Sequence, residues 1–488
     1  MNRSRIAASI SWAAFAGFAI ACGSSTPSPN ATGSAGGAAL AGAPGSGGAS
    51  GSGGVSGSTA GSAAGSLSGG GSSGAAGFAP TAGNSAVGGG PGAGGVAGLG
   101  GSAGSGGVPA QGGAAGGTGA TVCVAKTLVA SMKLGWNLGN SLDASDPSKS
   151  DTAVETAWGN PVITAELMKA VAAAGFGAVR IPVTWIGRFG AAPTYTISPA
   201  FIGRVEQVVK YALDAGMYVI INVHHDGGHN VAGRWLNLVD SGGQVTTANS
   251  DAVSKQFKAL WTQIASHFKG YDSRLVLESM NEVMVDYGVP KPEYYTQINS
   301  LNQTFVDTVR ATGGNNGTRC LVVPGYNTNI EYTVAGFVLP KDSSAGKLIL
   351  SDHFYDPYTF AGSAETHTWG SGNPGIDNWA QEDWVKSQMA KLKSTYVDQG
   401  VPMILGEYGA VNQTGYEKYR RYYVEYVTKA AHDAGITPFY WDNGGKGTGA
   451  DAFGLIDRTN NTVLYPTLLQ AITRAVSSSY ALSDVAKP

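Results

Sequence analysis

The chain has 488 residues, a formal net charge of −2, 13% charged and 43% hydrophobic side chains, and 74 glycines. Near-neutral charge excludes a polybasic nucleic-acid binder and an acidic tail protein, and only the first twenty or so residues approach membrane-spanning length. Three cysteines are too few for a disulfide scaffold or a zinc ribbon. The glycine excess is local. About half of the glycines lie between Cys22 and Ala120, a stretch without a single Asp, Glu, Lys, Arg or His. From Thr121 onward the composition is that of an ordinary globular domain, and about 360 residues bury a sizeable core.

Arg3 and Arg5 precede an uncharged, mostly apolar run from Ile6 to Ala21, the pattern of an export signal over residues 1–21. The sequence Ala19-Ile20-Ala21-Cys22 reads either as an ordinary signal-peptidase site or as a lipoprotein box with Cys22 acylated. The lipoprotein form usually has Leu where Ala19 stands. Either way the protein is expected to be exported, lipid-anchored on the outer surface or extracellular, with Cys22 its one expected membrane attachment. Residues 22–120 are Gly/Ala/Ser-rich and have little to bury, so they are expected to be a disordered tether spanning roughly 50–60 Å. A folded domain follows over 121–480. Cys123 and Cys320 are left as a candidate disulfide in an oxidising compartment.

Within that domain short β-rich runs alternate with long amphipathic ones. Strands are expected at Met132–Asn140, Ala178–Thr184, Tyr218–His225, Leu275–Glu282, Cys320–Asn327, Leu348–Pro357, Pro402–Gly409 and Thr437–Gly444. Most are nearly continuous apolar runs, as strands buried on both faces should be. Between them, Ile202, Val205, Val209 and Leu213, and then Ile298, Leu301, Phe305 and Val309, recur at helical spacing. Eight strand–helix units in one domain fit an α/β fold of the (β/α)8 TIM-barrel type. The GWNLGN turn lacks the spacing and the following helix of a phosphate loop.

Polar residues collect at the strand ends that would form the barrel mouth: Arg180, His224, His225, Asn281, Glu282, His353, Tyr355, Glu407, Trp441 and Asp442. Two carboxylates facing each other across a barrel are what glycosidic bond cleavage requires. Arg and Tyr suit holding a carboxylate ionised, Asn suits a hydroxyl, and indole faces suit stacking on sugar C–H surfaces. Trp136, Trp158, Trp185, Trp235 and Trp369 are further stacking candidates. A metal hydrolase using His224, His225, Asp226, His229 and His353 competes, but adjacent strand residues point to opposite faces, so His224 and His225 should not ligate together. No G-x-S-x-G elbow supports a serine hydrolase.

The segments LGWNLGNSLDA (134–144), WGNP (158–161), AVRIPVTW (178–185), VIINVHHDG (219–227), LESMNEV (277–283), DHFYDPYTFAG (352–362), ILGEYGA (404–410) and FYWDNGG (439–445) together resemble glycoside hydrolase family 5, the cellulase family. The WGNP and DPYTFAG stretches resemble its subfamily 4 endoglucanases, xyloglucanases and lichenases. The resemblance implies a retaining endo-β-1,4-glucanase acting on cellulose, xyloglucan or mixed-linkage glucan. It gives Glu282 as acid/base and Glu407 as nucleophile, with Arg180 and Tyr355 orienting Glu407. Asn281 would hold a 2-hydroxyl, His353 would sit beside Glu282, His224 would bind a hydroxyl, and Trp441 would form the floor. Asn137, Trp158 and Trp185 complete the expected substrate contacts. Val283 stands where the family usually has Pro. No cofactor, metal or nucleic acid is expected, and the enzyme is expected to be a monomer. Trp158, Trp369 and the 357–380 segment are expected to line an open cleft. An inactive sugar-binding relative and a barrel hydrolase acting on mannan or xylan are the alternatives.

Overall fold

The structure, a computed structural model, describes residues 123–228, 233–373, 379–477 and 479–488. The export signal, Cys22, the tether and His229 lie outside the described residues. Eight parallel strands close into a barrel in sequence order: β1 (Gly135–Leu138), β2 (Ala178–Ile181), β3 (Tyr218–Ile221), β4 (Leu275–Glu278), β5 (Leu321–Asn329), β6 (Leu348–Phe354), β7 (Met403–Tyr408) and β8 (Ile436–Asp442). β1 pairs with both β2 and β8, which completes the closure. Almost every strand residue is buried, the physical counterpart of the unbroken apolar runs.

Helices Pro199–Asp214 and Pro292–Ala311 bury the three- and four-spaced residues expected of them against the barrel wall. Near the N-terminal strand ends the interior is apolar, with Ala178, Ile220, Val276, Val322, Ile349, Ile404 and Phe439 in one cluster. Two residues further along several strands the interior turns polar, with Asn137, Arg180, Asn222, Glu278 and Ser351 all buried. That change of chemistry along the barrel axis positions the site.

Two expectations need correction. The first strand begins at Gly135, and Met132 instead ends a helix, Ala125–Met132. Its buried residues Ala125, Leu128, Val129 and Met132 follow helical spacing and join the apolar cluster beneath the barrel. Thr437 Oγ1 donates to the Val129 carbonyl at 2.8 Å, fixing this helix to β8. β3 and β4 also stop early, so His224, His225, Asn281 and Glu282 sit on the loops just past their strands. Cys123 and Cys320 form a disulfide with a Cα–Cα distance of 5.7 Å, tying the start of that helix to the approach to β5.

Candidate active site

Arg180 on β2 is the hub of the polar layer and is wholly buried. Its Nε donates to Glu278 Oε2 at 2.7 Å, and Nη1 donates to Asn137 Oδ1 at 3.0 Å and Glu407 Oε1 at 2.8 Å. Nη2 donates to Asn281 Oδ1 at 2.7 Å. One planar fork on β2 thus fixes groups from β1, β7 and both β4 and its loop, which Lys could not do. Burial alone would lower the pKa of the guanidinium, but the charges of Glu278 and Glu407 outweigh it and raise it, so Arg180 stays charged.

Glu407 on β7 accepts from Arg180 and, through Oε2, from the Tyr355 hydroxyl at 3.1 Å. Glu282 has a different setting. Its Oε1 lies 2.6 Å from His353 Nδ1, and its side chain is 38% exposed against 6% for Glu407. Burial pushes both carboxyls above their ordinary values, and the charge of Arg180 opposes this at each. Glu407 also accepts two donors that favour its ionised form, so it is the group of the pair held as carboxylate. Burial lowers His353 to about 4, so its imidazole is neutral near neutral pH, with Nδ1 in hydrogen-bond contact with Glu282. One ligand atom each from Glu282, His353 and Glu407 lie within 4.8 Å of one another, so a carboxyl oxygen of each glutamate is inside that distance.

His224 is locked by a chain of amide contacts. The Val183 N–H donates to Asn222 Oδ1 at 3.1 Å, which fixes the amide orientation. The Asn222 Nδ2 group then donates to Glu278 Oε2 at 3.0 Å and to His224 Nδ1 at 3.1 Å. Burial keeps His224 neutral, so Nε2 carries its proton and is a donor, the form that suits a sugar hydroxyl. The Trp441 indole lies nearly parallel to this ring, 7° between planes at a centroid distance of 6.0 Å. Trp158 is 39% exposed and packs at 5.5 Å on His225, which in turn contacts His224. Trp158, His225, His224 and Trp441 form a continuous aromatic row.

Of the residues expected at the site, the structure brings together Arg180, Asn281, Glu282, His353, Tyr355 and Glu407, with His224, Trp441 and Trp158 alongside. Asn137 and Trp185 do not fit as substrate contacts. Asn137 is fully buried, spending its amide on the Gly406 carbonyl (2.9 Å) and its oxygen on Arg180. Trp185 is fully buried, donates Nε1 to the Asn222 carbonyl and packs edge-on against Phe201, so no ring face is free. Trp136 and Trp369 are likewise buried, Trp369 among Tyr422, Tyr423 and Tyr426, and neither lines a cleft. Trp235 is partly buried, with Nε1 bonded to Asp226. Asp442 accepts from Trp136 Nε1 and from the N–H groups of Gly444, Leu455 and Ile456, and it pairs with Arg458; it organises the β8 loop.

His224 and His225 do not face apart as strand neighbours would, because both lie beyond the end of β3. Their rings are 4.3 Å apart, and their ligand atoms lie within 4.8 Å of one from Asp143. Asp143 already accepts the N–H groups of Asn140 and Ser141, and His224 Nδ1 is taken by Asn222. Glu278 and Asn222 escaped the sequence reading. Glu278 is two residues from the inward Val276, and strand alternation alone puts it inside the barrel.

A closed (β/α)8 barrel with two close glutamates at its mouth, one bonded to Arg and Tyr and one beside a neutral His, has the architecture of a glycoside hydrolase. Residues 142–447 match the family model for cellulase, glycosyl hydrolase family 5. The chain is 41% identical over 372 residues to endoglucanase A of Paenibacillus barcinonensis, covering 72% of this chain and 90% of that protein. It is 39% identical over 348 residues to a xyloglucan-specific endo-β-1,4-glucanase of Bacteroides ovatus, covering 67% of this chain and 66% of that one. Among solved structures, it resembles a family 5 xyloglucanase from Paenibacillus pabuli, with TM-score 0.67, 43% identity, 72% of this chain and all of the other covered. A GH5-4 broad specificity endoglucanase from Bacteroides salanitronis gives TM-score 0.69 at 42% identity, covering 74% and 97%. The chain belongs to glycosyl hydrolase family 5.

Proposed function

We propose that the protein is a retaining endo-β-1,4-glucanase that cleaves plant cell-wall β-glucans, with xyloglucan a principal substrate. The reading of substrate follows the named activities of the relatives. The reading of mechanism rests on the closeness of Glu282 and Glu407. A retaining pair stands about 5–5.5 Å apart and an inverting pair roughly 6.5–9.5 Å, because the latter must admit a water.

In the first step Glu407 attacks the anomeric carbon and Glu282, whose burial favours the protonated carboxyl, protonates the leaving oxygen. The β-linked chain becomes an α-linked glycosyl-enzyme, and its former leaving half departs with a free 4-hydroxyl. In the second step Glu282 takes a proton from water, which displaces Glu407 and restores the β configuration. Arg180 and Tyr355 hold Glu407 in place, Asn281 holds the 2-hydroxyl, His224 donates to a neighbouring hydroxyl, and Trp441 supports the ring. Glu407→Ala should abolish turnover and be partly rescued by azide on an activated aryl glycoside, giving the inverted azide. Glu282→Ala with azide should give the retained one. Early wild-type products in the α configuration would refute the double displacement.

The protein is further proposed to be exported, with Cys22 as its lipid attachment, which accords with a disulfide-permissive compartment for Cys123–Cys320.

A further inference from the structure

We propose that Ser351 is a positioning residue for the acid/base: through one buried water it supplies the hydrogen bond that keeps the proton of His353 on Nδ1, facing Glu282. This role rests on the reading of Glu282 as proton donor and base. Ser351 lies two residues before His353 on β6, so both side chains point into the barrel. Asp352 between them turns outward and accepts from Thr333 Oγ1 at 2.5 Å. Ser351 and His353 are both buried.

A bulge in the neighbouring strand brings them to one spot. Asp352 pairs with Leu405, but His353 pairs with Glu407, so β7 carries one residue more than β6 at Gly406. The extra residue turns Glu407 inward, where alternation from the inward Ile404 would have sent it out. It also leaves Gly406 bare against its neighbours: a Cβ there would stand 2.5 Å from Ser351 Oγ and 3.0 Å from His353 Nε2. The Gly406 carbonyl accepts from Asn137 Nδ2 at 2.9 Å, which fixes the bulge. Among the described residues neither Ser351 Oγ nor His353 Nε2 has a hydrogen-bond partner. Glu278 Oε1, of a side chain close enough for its charge to act on His353, has none either. Buried polar groups without partners are costly, and a single internal water satisfies about three of them. Here it would accept from the Ser351 hydroxyl and donate to His353 Nε2 and to the Glu278 carboxylate, which can only accept.

His353 Nδ1 is 2.6 Å from Glu282 Oε1, and a neutral imidazole has one N–H to place. With that hydrogen on Nδ1, Glu282 Oε1 accepts it and the carboxyl proton stays on Oε2, free for the leaving oxygen. Once the proton is given, the new carboxylate still meets a donor. When it takes a proton back from water, nothing at His353 has to move. With the hydrogen on Nε2 instead, the carboxyl proton would be held by Nδ1, and its loss would leave a carboxylate facing a lone pair. One tautomer therefore serves both steps, and the partner of the far nitrogen selects it. His224 is the opposite case, where the Asn222 amide at Nδ1 puts the hydrogen on Nε2.

The test compares a substrate that needs an acid with one that does not. Purified full-length wild type and Ser351→Ala are assayed on xyloglucan and on 2,4-dinitrophenyl β-cellobioside, whose leaving group needs no proton. General-acid help is worth roughly 10²–10⁴-fold and a misdirected proton loses part of it, so the ratio of kcat/KM for polymer to kcat/KM for aryl cellobioside should fall about tenfold in Ser351→Ala. A misfolded fraction lowers both activities alike and leaves the ratio unmoved. A ratio equal to that of the wild type would overturn the proposal. Nitrogen NMR of the His353 ring near neutral pH, assigned by its absence in His353→Gln, gives a second readout. Wild type should show the Nδ1–H form, and the Nε2–H form in wild type would overturn the proposal whatever the variant does. Wild type inactive on both substrates would instead refute the glucanase reading itself.

Discussion

Replacing Gly139 by Ala tests how the first loop shapes the sugar floor. A Cβ at this position would stand 2.7 Å from Cη2 and Cζ2 of Trp441. Ordinary carbon–carbon contacts are about 3.5–4.0 Å, so ring or loop must withdraw by about 1 Å. The loop has little room to yield, because Gly139 N–H donates to the Asp442 carbonyl at 3.0 Å and its own carbonyl accepts from Arg458 at 2.7 Å. The indole moves instead, against Val411 and Phe453 in its small cluster. Overpacking of this kind costs about 1–3 kcal/mol of stability. A misplacement of about 1 Å in substrate positioning costs on the order of 10²-fold in rate, or about 2.7 kcal/mol in the barrier. Steady-state kcat/KM on an aryl cellobioside and on xyloglucan should both fall by about that factor, with circular dichroism showing a folded barrel. The same substitution in a Trp441→Ala background should add almost nothing, since the clashing ring is gone. Activity close to wild type, or a full additional loss in that background, would refute the reasoning.

Tyr355→Phe removes a donor to the ionised form of Glu407; the charged form is then less favoured, its pKa rises, and the acidic limb of the kcat/KM profile should move up by about one pH unit. An acidic limb that stays or moves down would contradict that role. Breaking the disulfide with Cys123→Ser and Cys320→Ser opens a crosslink across 197 residues, for which the chain-entropy relation gives at most about 5 kcal/mol and experience about 2–4. Denaturant midpoints should fall accordingly, and wild type under reductant should match the double variant; no difference would rule out a stabilising bridge. Cys22→Ser should transfer the native protein from the membrane fraction to the soluble one, and a wild type already soluble in the medium would exclude the anchor.

The barrel was readable because strands buried on both faces leave an unmistakable apolar run, and eight of them with helical spacing between leave few architectures. The site was readable in part, because residues at strand ends have only one mouth to face. What failed had physical causes. Place in the chain does not fix the role of Trp185 or Trp369, because a tryptophan after a strand serves equally well beneath a loop, and only packing against Phe201 or against Tyr422, Tyr423 and Tyr426 decides. Asn137 looks like a sugar ligand in sequence and is consumed by Arg180 and a neighbouring carbonyl. The helix Ala125–Met132 carried its signal openly in Ala125, Leu128, Val129 and Met132. Strand alternation does not extend to His224 and His225, because β3 has ended before them.

Glu278 gives the enzyme a use in synthesis as well as hydrolysis. Arg180 is held by two carboxylates, and only Glu407 is asked to react. Remove Glu407 and the guanidinium still has Glu278 at 2.7 Å, so the interior is not left with an unpaired buried cation, which would cost several kcal/mol. A Glu407→Gly variant should therefore keep its fold and its sugar-binding mouth. Offered an α-glycosyl fluoride, which has the configuration of the missing covalent intermediate, it would let Glu282 deprotonate an acceptor hydroxyl as fluoride leaves. The new β-1,4 bond could not be cut again, and the chain would become a builder of defined glucan oligomers.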